Sequence, residues 1–194
     1  MMGLGCFDAS NGDPGGGVCA STVVAVASIR RNVADRNMGT IIIDGMQGTV
    51  RAIFIKRKKG EKAVALESAE AVPGGLAGDR HTGASKRRQI LLMSGSILDE
   101  LNIEPGAIFE NVVVDGLDVM ELQEGQQLRL GNALVVVTIP CEPCVQMDRV
   151  RRGLQDELQN RRGMFVKVIS PGVVRVGDAI GVEGPAGSKV SATP

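Results

Sequence analysis

The chain has no tryptophan and no tyrosine, four phenylalanines and a single histidine in 194 residues. With aromatics at 2%, the interior has to be built from Val, Ile, Leu and Ala. It also lacks an excess of either charge: Lys plus Arg total 22, and so do Asp plus Glu. A balanced chain has no overall field to draw it to nucleic acid or an anionic membrane. No apolar run approaches the ~20 residues of a membrane span. The apolar stretch Thr22–Ala27 is too short for a signal core and has no basic residue before it. The four cysteines (Cys6, Cys19, Cys141 and Cys144) are too few for a disulfide framework, and a chain of this length needs none. A reducing cytoplasm is the expected location.

Glycine, by contrast, is plentiful. Its 26 copies call for many tight turns, which suit short strands better than long helices. Residues 1–46 read as an N-terminal extension, turn-rich at Asn11–Gly17 and loosely packed. From residue 47 to 184 the texture is that of one domain. Thr49–Ile55 and Ala63–Leu66 form a strand pair around the solvated basic tip Lys56–Lys62, whose lack of aromatics argues against nucleic-acid contact. Ala71–Gly83 is a Gly-rich loop, Gln89–Met93 a strand, and a brief helix runs to Leu101 before Pro105-Gly106. Ile108–Val114 is a β-type run interrupted by Glu110 and Asn111. Leu122–Ile139 makes two strands around Gly131-Asn132. Met147, Val150, Leu154 and Leu158 recur at helical spacing. Met164–Ile169 is a strand, and Val173–Val182 a last pair around Gly177-Asp178. Residues 185–194 read as a disordered tail. Some eight strands and two short helices, without βαβ alternation, predict a mostly β fold closed as a barrel.

Cys141-Glu142-Pro143-Cys144 carries the most chemistry. It follows a strand of buried character and leads toward a helix, whose unpaired N–H groups favour an anion; on that reading Cys144 stands at the helix start with its pKa depressed. A thiolate there could attack an electrophilic sulfur, carry a persulfide or bind a soft metal. A redox disulfide of the pair, two inert buried thiols, or half a zinc site are the competing readings. The last lacks a second Cys pair or a His pair to complete it. His81, the only histidine, shares one face of an extended loop with Asp79, whose carboxylate could orient the imidazole; equally, Asp79 and Thr82 could simply pin the loop. Arg87-Arg88 and Arg161-Arg162-Gly163 offer guanidinium forks for a phosphate or carboxylate.

In order along residues 48–183, Gly78-Asp79-Arg80-His81-Thr82-Gly83, Arg88-Gln89, Phe109-Glu110-Asn111, Leu122-x-x-Gly125, the cysteine after the long strand, Arg162-Gly163 and Pro171-Gly172 through Gly177-Asp178 resemble the MOSC family, the domain named after the C-terminal part of molybdenum cofactor sulfurase. The resemblance implies a compact MOSC-type β-barrel with a few short helices. It implies, too, a cysteine acting as sulfur carrier or as molybdenum ligand, best matched by Cys144 with Cys141 as the extra one. Asp79 and His81 would share the cysteine's pocket. Arg88, Arg162 and Asn111 would bind cofactor, the two arginines through the pterin phosphate of a molybdenum cofactor. Neither a fused desulfurase nor a second β domain is visible, so pyridoxal phosphate would belong to a partner cysteine desulfurase. A molybdenum-dependent reductase of N-hydroxylated compounds would instead need an electron-donor protein.

Overall fold

Across residues 42–183, which the computed structural model describes, the chain is a succession of strands with three short α-helices. The expected N-terminal extension lies outside the described residues as far as residue 41, and the expected tail lies outside them entirely. β1 (Ile42–Ile55) is followed by β2 (Val64–Leu66), β3 (Ser68–Val72) and β4 (Gly75–Leu76). β5 (Ile90–Ser94) leads through α1 (Gly95–Glu100) to β6 (Val112–Asp115). A 3-10 turn (Val119–Glu121) precedes β7 (Gln127–Leu130) and β8 (Ala133–Pro140). Then come α2 (Met147–Val150), α3 (Leu154–Glu157), β9 (Met164–Ser170), β10 (Gly172–Arg175) and β11 (Ala179–Glu183).

Seven strands close into a barrel in the order β1-β6-β5-β9-β8-β7-β11, with β11 pairing back onto β1, and β2 adds on beside β1. Closure leaves the barrel strands without a free edge. β1 can serve three neighbours because it is long and irregular. Its register shifts between Ile42 and Gln47 against β11, and between Val50 and Ala52 against β6. The same irregularity explains why periodicity alone starts this strand at Thr49. A separate three-stranded sheet, β10-β3-β4, stands beside the barrel. The mostly β barrel expected from the sequence is the fold observed.

Two cores divide the apolar residues. Ile53, Ile55, Ile90, Leu92, Val112, Val114, Val135 and Val166 point into the barrel. The alternate residues of β1, β5 and β6, namely Phe54, Met93 and Val113, point outward and join Ile97, Leu98, Met147, Leu154 and Leu158 in a second cluster under the helices. Hence β5 is buried along its whole length. β5 and β6 pair in parallel, connected through α1, so one βαβ-type unit is embedded in an otherwise antiparallel barrel. The sequence reading expects none. Continuous apolar runs such as Ile90–Met93 are the mark of a strand covered on both faces.

Two further expectations are corrected. The single helix read across Met147–Leu158 is two one-turn helices, because Arg151 is extended (φ −154, ψ 131) and Gly153 is left-handed (φ 85). Val150 is exposed as a result, while Met147, Leu154 and Leu158 stay buried. The last two strands bracket the Gly177-Asp178 turn but do not pair with each other. β10 joins β3, and β11 closes the barrel.

Leu92 and Met93 are adjacent, both fully buried, and belong to different cores. Leu92→Ala and Met93→Ala are each expected to lower unfolding stability by ~2–5 kcal/mol in urea titrations. A near-zero loss for Met93→Ala would show that the outer cluster is not packed.

Candidate functional site

β8 ends at Pro140 opposite Met164 of β9, and the Cys141 amide N–H donates to the Gly163 carbonyl at 2.9 Å. The strand ends thus set the cysteine against the Arg162-Gly163 pair. Gly163 is required by its backbone: at φ 96 an added Cβ would stand 2.0 Å from the Leu92 carbonyl oxygen. This close approach drives the preceding residue inward, and Arg162 is 5% exposed. Its guanidinium donates from Nη1 to Cys141 Sγ at 2.7 Å, from Nε to Met147 Sδ at 3.1 Å, and from Nη2 to the Ile108 carbonyl. Among the described residues none of the ion pairs involves Arg162.

Cys141 is half-buried and lines a cavity of about 410 Å³ with Met120, Pro140, Pro143, Asn160 and Met164. Burial pushes its thiol above the ordinary value, and the positive charges of Arg162 and Arg88 pull it back. Cys144 is an exposed free thiol outside that cavity's lining. The first helical residue after it is Met147, whose N–H reaches back to the Cys144 carbonyl at 2.8 Å. Cys144 therefore precedes α2 by a turn and does not occupy its N-terminus, and α2 is a single turn.

Near Arg162 lies Glu110, 1% exposed. One carboxylate oxygen accepts from the Gly106 N–H, and the other, Oε2, is buried without a hydrogen-bond partner. Burial raises its pKa, against the opposing pull of the Gly106 hydrogen bond and of Arg162. In the sequence Glu110 stands out as a break in an apolar run and as part of the Phe109-Glu110-Asn111 segment, but neither signal gives it a role.

The other sequence-predicted residues are placed as follows. Asp79 accepts from the Lys56 amide at 2.8 Å, from the His81 amide at 2.7 Å, and from His81 Nδ1 at 3.1 Å. Arg80 donates to His81 Nε2 at 2.9 Å. A guanidinium can only donate, so Nε2 accepts and Nδ1 carries the proton toward Asp79. The Thr82 hydroxyl bonds the Leu76 carbonyl. These contacts tie the Gly78–Gly83 loop to the end of β1. Neither Asp79 nor His81 lines the cavity of Cys141 or hydrogen-bonds either cysteine. Asn111 is spent on backbone, donating to the Phe54 carbonyl at 3.2 Å and accepting from the Leu91 amide at 3.0 Å, so it links β1 to β5. Arg88 is exposed, 5.8 Å from the Phe165 ring centroid.

The raised pKa of Glu110 fixes a sign. A group that binds its proton more tightly in the folded state contributes stability below its unfolded value, here near the ordinary 4.5, and loses that contribution as pH rises through the folded value. Glu110→Gln keeps an acceptor for Gly106 and removes the ionisation. Its melting temperature relative to wild type should rise between pH 4.5 and 8; a difference that stays flat would mean Glu110 ionises in the fold as it does in the unfolded chain.

The family model of the MOSC domain matches residues 78–181, more than half of the chain. No curated protein matches it. Among solved structures the chain is similar to the YuaD protein from Bacillus subtilis, at 22% identity and TM-score 0.64, covering 72% of this chain and 97% of that one. It is similar to YiiM from Escherichia coli at 22% identity and TM-score 0.57, covering 72% and 71%. For YiiM from Geobacillus stearothermophilus the values are 16% and 0.59, covering 71% and 75%. At these identities the likeness is one of fold; the family follows from the match over β5 to β11 and the loop before them. With that match and the barrel agreeing, the chain belongs to the MOSC domain family.

Proposed function

We propose that the protein is a sulfur carrier working through Cys141. The observation that carries this reading is the buried Arg162 guanidinium, which among the described residues makes no ion pair and donates to the Cys141 sulfur at 2.7 Å. A buried cation needs an anion or it costs several kcal/mol. A sulfur anion on Cys141 answers that need. The resting thiol has its pKa raised by burial, whereas a persulfide ionises more readily than a thiol, so loading supplies the missing charge. In the loading step the Cys141 thiolate attacks the outer sulfur of a donor persulfide. A bond forms between the two sulfurs, the donor's S–S bond breaks, and the donor leaves as a thiolate. The donor would be a partner cysteine desulfurase, which would hold the pyridoxal phosphate, and a reducing cytoplasm would keep the free thiols available.

The same donor set suits a second reading, in which Cys141 ligates molybdenum. Among the described residues no group of three His, Cys, Asp or Glu side chains could hold a bare ion. A molybdenum carried on a pterin brings sulfur ligands of its own and asks the protein for one more. Cys141 would supply it and the exposed Arg88 would be free to meet an anionic group, while Arg162 donates to Cys141, Met147 and the Ile108 carbonyl. When bound, the cofactor would supply two-electron redox chemistry, and the protein would then serve a reductase of N-hydroxylated compounds with an electron-donor partner. Asp79, His81 and Asn111 act in either reading by holding the loop and strands in place.

Incubation with a cysteine desulfurase and cysteine should add the mass of one sulfur atom to the wild type and to Cys144→Ser, and none to Cys141→Ser. Loading that survives Cys141→Ser and vanishes in Cys144→Ser would move the site three residues downstream.

Arg162 lowers the Cys141 pKa against the effect of burial. In Arg162→Gln the alkylation of Cys141 should therefore reach half its maximal rate at a higher pH than in wild type, with Arg162→Lys in between. An unchanged pH profile in both variants would show that the guanidinium does not govern the thiol.

A further inference from the structure

A second hollow, of about 400 Å³, shares no lining residue with the cavity of Cys141. It lies where the end of β1 and its hairpin tip meet the Gly78–Gly83 loop and α2. Lys56, Lys59, Arg80 and Arg149 line it together with Phe109 and Gln146, and no carboxylate does. Among the described residues none of these four cations takes part in an ion pair. The chain as a whole is balanced, with 22 residues of each sign. Four uncompensated positive charges converging on one concavity repel one another, and an anion placed between them would relieve that repulsion.

The hollow is also held in shape. Lys56 Nζ stands 4.4 Å from the centroid of the Phe109 ring. Phe109 itself has a left-handed backbone, φ 68, and is 38% exposed, a conformation that a bulky residue rarely keeps without structural support. The Arg80 guanidinium is oriented by His81 Nε2, and its backbone N–H is bonded to the Lys56 carbonyl at 2.8 Å.

We propose that this hollow binds a small phosphate-bearing anion. Guanidinium forks from Arg80 and Arg149 match phosphate oxygens in pairs, and the two lysines add compact point charges. The volume falls at the lower end of the range for small-molecule sites, ~300–1,000 Å³. The cations gather in one recess and do not form a stripe, which fits a compact ligand better than an extended polymer. This assignment goes beyond the thiol chemistry and does not depend on it.

The test is calorimetric titration of the full chain at low salt with inorganic phosphate, pyrophosphate, AMP and adenosine. Pyrophosphate and AMP should bind and adenosine should not. Lys59→Ala and Arg149→Ala should each weaken AMP by about tenfold or more, the size of a lost charge-assisted hydrogen bond. Both residues are exposed and unpaired among the described residues, so the variants should melt as the wild type does. If one fails to fold, the other decides. Lys62→Ala, on the same hairpin but outside the hollow, should bind as wild type. So should Cys141→Ser, which keeps the result separate from the fate of the sulfur-carrier reading. The proposal is overturned if none of the phosphate probes binds, if adenosine binds as well as AMP, or if Lys62→Ala loses as much as Arg149→Ala.

Discussion

The guanidinium of Arg162 sits inside the protein with two sulfur atoms and one backbone carbonyl as partners. Much of the surrounding architecture serves that placement. A left-handed glycine follows it, pressed so closely against β5 that no side chain would fit. Met147 of α2 turns its thioether toward Nε, and the chain before β6 offers the Ile108 carbonyl. The cysteine at the end of β8 completes the set. Desolvating a guanidinium is costly, and neutral partners offset only part of the cost; its charge draws the Cys141 pKa down, while burial, the larger effect, pushes it up. Stability of the fold and chemistry of the thiol are therefore coupled through one charge.

Closing the barrel is what brings those partners together. Cys141 stands at the junction of β8 and β9, Arg162 just before β9, Ile108 ahead of β6 and Met147 in α2. The order β6-β5-β9-β8 brings the strand ends that carry Ile108, Arg162 and Cys141 to one region. The parallel β5–β6 pair adds a second covered face, and the helices that cover it carry Met147, Leu154 and Leu158. The outer core and the arginine site share Met147, so disturbance of that core should reach the cysteine.

Charge is partitioned just as sharply. Acidic side chains pair with Arg51, Arg87, Arg129, Arg151 and Arg161 around the barrel, while among the described residues the cations at the end of β1 and on α2 take part in no ion pair. Glu110 is the exception in the opposite sense, a buried carboxyl with one orphan oxygen. Groups of this kind are concentrated where a protein does chemistry, and here Glu110 neighbours Arg162.

The sequence by itself determined the class of fold. Alternating β-branched runs such as Ala133–Ile139, with turns at Gly131-Asn132 and Gly177-Asp178, state the strands and their breaks through local preferences. Spacing also exposed the cysteine pair, Asp79 with His81, and Arg162-Gly163, because unusual residues between regular segments are visible without a structure. Which neighbour each strand takes was not legible, since pairing β10 with β3 or β11 with β1 depends on closure over long separations. Nor was it legible that Asn111 spends its amide on backbone, that one helix is two, or that Arg162 faces Cys141 and leaves Cys144 exposed. Hydrophobic periodicity says which side of a segment is buried, not what lies on the other side. The partner of a buried charge is decided only when distant strand ends meet.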